Sequence, residues 1–253
     1  MTDDEKEKLL SAIRHPSSSL RARVALITGA SRGIGAAVAK RFAQEGAHVI
    51  LIARDSKGLE ATDDAIRAVG GTATLVPLDL TEPTQIEQLA LQIAQRFGRL
   101  DILVGNAAIL SDMTPLPHIA PADWDKVMTT NVTANWHLIR VFDALLKQSD
   151  AGRAMFVTSG VTTRPCPYWG AYAISKAALE SMVNIYAAEN TKTSLKINLI
   201  DPGGVRTRMR AQAFPGEDPL SLPDADAITD VFVKLARADM KETGKKFFAR
   251  QEK

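Results

Sequence analysis

Short apolar runs alternate with longer segments of helical periodicity through most of this chain. The runs at 24–27, 49–52, 74–77, 102–104, 154–158 and 196–200 are rich in Val, Ile and Leu and apolar on both faces. That is the pattern of strands in a parallel sheet covered on both sides. Between them, 35–46, 56–69, 83–97, 124–147 and 172–190 repeat apolar positions at helical spacing. The alternation predicts an α/β fold, a doubly wound parallel sheet with helices on both faces and right-handed crossovers. No stretch dense in Pro, Gly or Ser interrupts 22–250, so one domain is expected over 21–253. Residues 1–20, polar at the start and ending near Ser17-Ser18-Ser19, read as a flexible arm. Residues 206–226 carry Pro215, Gly216, Pro219 and Pro223 without clean periodicity and read as a long loop or substrate lid.

Composition narrows the function classes. With 253 residues, 45% hydrophobic and 24% charged, the chain can bury a stable core without staples. A net charge of +2 gives no long-range field for nucleic acid or an anionic membrane, and neither is expected as a partner. The one cysteine, Cys166, excludes an intrachain disulfide framework, and four scattered histidines lack ligand spacing, so no metal site is expected. No apolar segment has the length of a signal peptide core or a membrane span, which fits a cytoplasmic location.

The stretch Thr28-Gly29-Ala30-Ser31-Arg32-Gly33-Ile34-Gly35 joins an apolar run to a helix-like segment. A strand, a glycine turn and a helix N-terminus make a seat for a pyrophosphate: bare backbone lets phosphates approach, and first-turn N–H groups and the helix dipole attract their charge. The spacing is G-x-x-x-G-x-G rather than the G-x-G-x-x-G of the common dinucleotide (Rossmann) fingerprint. Tyr172 and Lys176, four apart, share one helix face, and Ser159 ends a strand thirteen residues before Tyr172. Strand C-termini are where open α/β sheets place ligands.

From about Leu20 to Phe247 the chain resembles the short-chain dehydrogenase/reductase family. The glycine pattern matches, as does Val104-Gly105-Asn106-Ala107-Ala108, which looks like the family's Asn-Asn-Ala-Gly strand. Asn131 falls where the family has its catalytic asparagine. Ser159, Tyr172 and Lys176 fit the Ser and Tyr-x-x-x-Lys motifs, and Pro202-Gly203-Gly204-Val205-Arg206-Thr207 fits Pro-Gly-x-Val-x-Thr. The resemblance implies catalytic roles for Asn131, Ser159, Tyr172 and Lys176. It implies cofactor contacts at Gly29, Ser31, Arg32, Gly33, Ile34, Gly35, Arg54, Asp79, Leu80, Asn106, Ala107, Tyr172, Lys176, Pro202, Gly203, Val205 and Thr207. By the same resemblance Lys176 holds the nicotinamide ribose, Asn131 holds a water in a proton relay, and Asp79 bonds the adenine amino group. A homodimer or homotetramer is implied as well, with a dimer through 124–147 and 172–190 preferred because the C-terminal tail departs from the family's apolar one.

The chemistry of these residues is coherent. Carbonyl reduction needs a hydride donor at the carbon and a proton donor at the oxygen. An unperturbed tyrosine, at about 10, is a poor acid, and the Lys176 ammonium is expected to lower it. Ser159 is placed to bond the substrate oxygen as charge develops. For the cofactor, Ala53 stands where an NAD-selecting acid would align, Asp55 is read as a decoy, and Arg32 and Arg54 suit a 2′-phosphate through their planar forks. NADP (NADPH) is therefore expected ahead of NAD. The substrate is expected to be a small-molecule carbonyl or alcohol, in a pocket with Cys166, Trp169 and Phe214 and with Arg164, Tyr168, Ile109, Leu110, Met113 and Met209 nearby. A catalytically silent NADP(H)-sensing protein and an isomerase or dehydratase of the same fold are the alternatives. Two departures stand out: Gly105 replaces the first family asparagine and Ala108 the glycine.

Overall fold

The computed structural model describes residues 19–250. Most of the expected N-terminal arm, 1–18, lies outside the described residues. Ser19 and Leu20 do not belong to a free arm: the Ser19 hydroxyl donates to Glu45 Oε2 at 2.8 Å, and Leu20 is fully buried.

Seven strands, β1 (Val24–Thr28), β2 (His48–Ala53), β3 (Thr72–Pro77), β4 (Ile102–Gly105), β5 (Arg153–Val157), β6 (Lys196–Asp201) and β7 (Lys246–Phe248), form one sheet in the order β3-β2-β1-β4-β5-β6-β7. Every neighbouring pair is parallel. Chain order reverses between β1 and β4, so a crevice opens beyond their C-terminal ends, the switch point of a doubly wound sheet. The Rossmann-type expectation is met. β7 escaped the sequence reading because it is only three residues long and opens on a lysine.

Helices α1 (Gly33–Gln44), α2 (Ser56–Ala68) and α8 (Asp230–Ala236) pack on one face around Phe42, Leu59 and Phe232. Helices α3 (Pro83–Phe97), α5 (Ala134–Lys147) and α6 (Gly170–Glu189) pack on the other around Phe142, Phe156 and Leu179. Each buried ring contributes roughly 1.5–3 kcal/mol of transfer free energy. The helix expected over 124–147 is three pieces: α4 (Pro121–Met128), one wide π-type turn (Thr129–Thr133) and α5. An extra residue in a helical turn leaves apolar periodicity nearly intact while turning the side chains that follow, and such turns gather at functional sites. Here it carries Asn131. The stretch expected as a loop at 206–226 opens with a short helix, α7 (Arg208–Ala213), capped by Thr207 Oγ1 accepting from the Arg210 amide at 3.1 Å.

Gly105 ends β4 with no room for a side chain. A Cβ there would overlap the ring of Phe156 and lie 2.6 Å from Asn135 Oδ1, a buried acceptor with no hydrogen-bond partner. The space of the expected asparagine is thus filled by Phe156, and the acceptor left by Asn135 stays unanswered. Gly105→Ala is expected to lower the unfolding free energy by roughly 1–3 kcal/mol. Urea unfolding should show the lost midpoint at unchanged slope, and a midpoint equal to wild type would contradict this packing.

Candidate functional site

Thr28, the last residue of β1, ties the two sides of the crevice together. Its hydroxyl donates to Val104 O at 3.2 Å and accepts from the amides of Asn106 at 2.9 Å and Ala107 at 3.0 Å. Asn106 Nδ2 returns a bond to Thr28 O at 2.8 Å. Against this stitch lies the glycine turn. Gly29 (φ 67°) and Gly33 (φ 56°) are left-handed, and a Cβ on Gly29 would sit 2.9 Å from Asn106 Nδ2. Gly35 packs behind the turn, where a Cβ would lie 2.7 Å from the same amide nitrogen. No side chain caps the N-terminus of α1, so its first amides face the cleft. Bare backbone, free amides and a dipole end fit a dinucleotide pyrophosphate.

The cleft encloses about 1140 Å³. At one end lie Ser31, Arg32, Arg54, Asp79 and Leu80. Asp55, read as a decoy, lines the same end of the cleft beside Arg54 and caps α2, its Oδ1 accepting from Gly58 N at 3.1 Å. Asp79 Oδ1 accepts from both the amide and the hydroxyl of Thr81, at 3.0 and 2.8 Å, and Oδ2 faces Arg54 Nη1 at 3.7 Å. These bonds and the Arg54 charge hold the Asp79 carboxyl below its usual range against the opposing pull of burial.

At the other end Ser159, Tyr172 and Lys176 line the same wall. Ser159 follows β5 and begins a short turn, its hydroxyl only loosely held by Val161 N at 3.5 Å. Tyr172 and Lys176 rise from α6 one turn apart, both buried, with Nζ 5.7 Å from the phenol ring centroid and donating to Val157 O at 2.8 Å. The expected acidification of the phenol is corrected here. Burial pushes the Tyr172 hydroxyl up to about 12, outweighing its hydrogen bond with Ser159, and the Asp201 charge adds to the rise. Burial likewise pushes the Lys176 ammonium down to about 8, with Glu180 opposing. Burial shifts both groups toward their neutral forms for the same reason.

Asn131 sits behind this wall. Its Oδ1 accepts from Ile109 N at 2.9 Å, and its Nδ2 donates to Ile109 O at 3.0 Å and Ser175 Oγ at 3.0 Å. Its side chain is thus bonded to the chain after β4 and to the residue beside Lys176. The substrate end is roofed by aromatics: Trp169 lies 5.9 Å from Tyr172 and 5.6 Å from Phe214, ring centre to ring centre. The Arg210 guanidinium stacks 3.7 Å from the Phe214 ring centre and grips Glu217 through two bonds of 2.6 Å.

Of the expected residues, the cleft gathers Gly29, Ser31, Arg32, Gly33, Ile34, Arg54, Asp79, Leu80, Asn106, Ala107, Ser159, Trp169, Tyr172, Lys176, Pro202, Gly203, Val205, Thr207 and Phe214. Ile109, Leu110 and Met209 join them, whereas Met113, Arg164, Tyr168 and Cys166 do not line it. Cys166 is excluded because its loop turns outward: Tyr168 is left-handed at φ 70° and exposed, and the thiol donates to Arg164 O at 3.5 Å. Unforeseen were Asp123, Lys126 and Thr130, which form a wall on α4 and the π turn. Continuous periodicity from Trp124 hid where that helix breaks. Among the described residues no cluster of His, Cys, Asp or Glu suits a metal, and no helix is long and apolar enough to cross a membrane.

The family model for short chain dehydrogenases matches residues 23–218. The oxidoreductase YciK of Escherichia coli K12 is 39% identical over 234 residues, 91% of this chain and 92% of that one. A short chain dehydrogenase of Escherichia coli CFT073, solved in complex with NADPH, aligns at TM-score 0.87 and 38% identity, covering 93% of this chain and all 100% of that one. Its counterpart from Shigella flexneri 2a, in complex with NADP, aligns at TM-score 0.88 and 37% identity over 92% and 99% of the two chains.

Proposed function

This chain belongs to the short-chain dehydrogenase/reductase family, and we propose that it is an NADP-dependent oxidoreductase that reduces a small carbonyl to its alcohol, or runs the reverse, with Tyr172 as the proton donor. The observation that carries this reading is one cleft with an anion-binding glycine turn at one end and Ser159, Tyr172 and Lys176 at the other. NADP as the cofactor is supported by Arg32 and Arg54 at the adenosine end and by the NADP and NADPH held by two similar proteins. When bound, NADPH supplies a hydride.

The side chains do the rest. Ser159 donates to the carbonyl oxygen and strengthens that bond as negative charge builds. Tyr172, whose high pKa keeps it protonated at neutral pH, hands its proton to the same oxygen. This favours reduction at neutral pH, since oxidation calls for the phenolate. Lys176 orients the nicotinamide ribose and replaces the proton on Tyr172. Asn131 acts as a positioning residue, locking the Ile109 loop to Ser175. Trp169 and Phe214 close over an apolar part of the substrate, with residues 206–226 as its lid. Exposed Trp136 on α5 and Ile174 and Ile185 on α6 support a dimer through those helices.

Turnover of a carbonyl panel with NADPH tests the assignment. Tyr172→Phe should abolish turnover and leave NADPH binding, followed by fluorescence titration, within twofold of wild type. A fully active variant removes Tyr172 from its role, and tight NADPH binding without turnover of any compound by wild type would favour the sensor reading.

Arg54→Ala and Arg32→Ala should each weaken NADPH by roughly ten- to a hundredfold, the worth of a charge-assisted bond to phosphate, with NADH affinity nearly unchanged. Equal losses for both cofactors would mean the arginines do not read the 2′-phosphate.

The Lys176 charge is present below its lowered pKa and lost above it. Reduction should therefore fall as pH rises through about 8. A kcat profile flat through that region would contradict a need for the ammonium.

A further inference from the structure

A charged cluster lies directly behind the catalytic wall, and the reaction as written above does not use it. Glu180 stands one helical turn beyond Lys176 on α6. Its Oε1 accepts three bonds, from Thr158 Oγ1 at 2.5 Å, Thr162 Oγ1 at 2.8 Å and Lys246 Nζ at 2.8 Å. Thr158 and Thr162 flank Ser159, one residue before it and three after. Lys246 comes from the edge strand β7, bonds Thr162 Oγ1 itself at 3.0 Å, and lies 4.0 Å from Asp201 Oδ2. Two residues beyond β7, Arg250 Nη1 donates to Gly204 O at 2.6 Å, and Ala249 N donates to Asp201 O at 2.9 Å. The C-terminal segment therefore grips both the turn that carries Ser159 and the Pro202-Gly203-Gly204 loop at the cleft.

We propose that Glu180 and Lys246 are positioning residues of the active site, the pair clamping the Ser159 turn against α6 while its two charges set the protonation balance of Lys176. The proposal rests on the roles given above to Ser159 and Lys176. The geometry supports both halves. Glu180 binds the Ser159 turn from either side through the Thr158 and Thr162 hydroxyls, and Thr162 Oγ1 also lies 3.0 Å from Ser159 O. Glu180 also shares the Tyr172–Lys176 face of α6, at successive intervals of four residues. The charge acting on Lys176 is Glu180 on its own helix; Lys246 on β7 pairs with Glu180 at 2.8 Å and lies 4.0 Å from Asp201 on β6, whose charge acts on Tyr172. The titratable Tyr172 faces Lys176 from α6, and the π turn approaches with only the neutral Asn131. Glu180 is a nearby negative charge that holds the Lys176 ammonium up against desolvation. Lys246 in turn holds the Glu180 carboxyl below its usual range, together with the two threonines. Lys246 Nζ, 2.8 Å from Glu180 Oε1, offsets part of the negative charge that Glu180 presents to its surroundings.

Opposite charges demand opposite effects, which a purely structural brace does not produce. The protein is labelled with 13C-lysine, the Lys176 Cε resonance is assigned by its loss in Lys176→Met, and its titration is followed without substrate. Glu180→Gln should move the midpoint down by roughly one pH unit, the effect of losing a close opposite charge. Lys246→Met should move it up. Shifts in the same direction, or an unmoved midpoint in Glu180→Gln, overturn the proposal, and the Glu180→Gln titration decides alone if Lys246→Met does not fold. With any substrate the wild type turns over, Glu180→Gln should lose roughly tenfold in kcat with KM changed less than twofold, a loss in the transition state rather than in binding. Lys246→Arg should keep most activity. The two readings fail separately: absence of wild-type turnover sinks the proposed reaction, whereas an unmoved Lys176 titration sinks the clamp.

Discussion

Thr28 fixes the distance between the two strands where chain order reverses. One hydroxyl bonds β4 through Val104 O and receives both amides that follow it, so the crevice mouth has a single width. The glycine turn rests on that stitch, because Gly29 and Gly35 both press on the Asn106 amide that completes it. The placement of α1, and with it the amides that face the cleft, follows from these contacts. The far wall is positioned from the same strand end, since the chain leaving β4 reaches Ile109, which Asn131 binds at both backbone groups and links to α6. A turn, a strand pair and two helices are thereby registered to one another through three polar side chains.

Burial is the second organising force. It acts on Tyr172 and Lys176 in the same physical way and with opposite numerical sign, raising the acid and lowering the base, because each charged form is penalised in the dry wall. The two groups, nearly equal in water, are driven apart, the phenol up to about 12 and the ammonium down to about 8. An electrostatic reading based only on adjacency in sequence put the effect on the phenol. The structure shows that desolvation outweighs adjacency.

What the sequence disclosed follows the same division. Strands buried on both faces write themselves as continuous apolar runs, so six of the seven were visible, and the seventh was hidden by its three-residue length and the lysine that opens it. The glycine turn and the Ser159, Tyr172 and Lys176 set were legible because backbone access and helical spacing fix them locally. Asn131 was reachable only through resemblance, and its partners Ile109 and Ser175 carry no sequence signal. Cys166 was misplaced because the direction of its loop depends on the left-handed Tyr168, a backbone state that residue type does not announce. Glu180 gave no signal at all, since its partner Lys246 lies 66 residues away and meets it only after β7 has docked.

Gly105, Phe156 and Asn135 share one small volume at the centre of the sheet. An asparagine introduced at 105 into this chain meets the phenylalanine ring before it can reach the unanswered Asn135 oxygen. Shrinking the ring first opens a void that nothing yet fills. Each exchange alone costs packing here, so the order in which substitutions arrive at this spot is constrained. A lineage that has adopted the glycine–phenylalanine pairing is held there by a valley of less stable intermediates, whatever either residue contributes to the reaction.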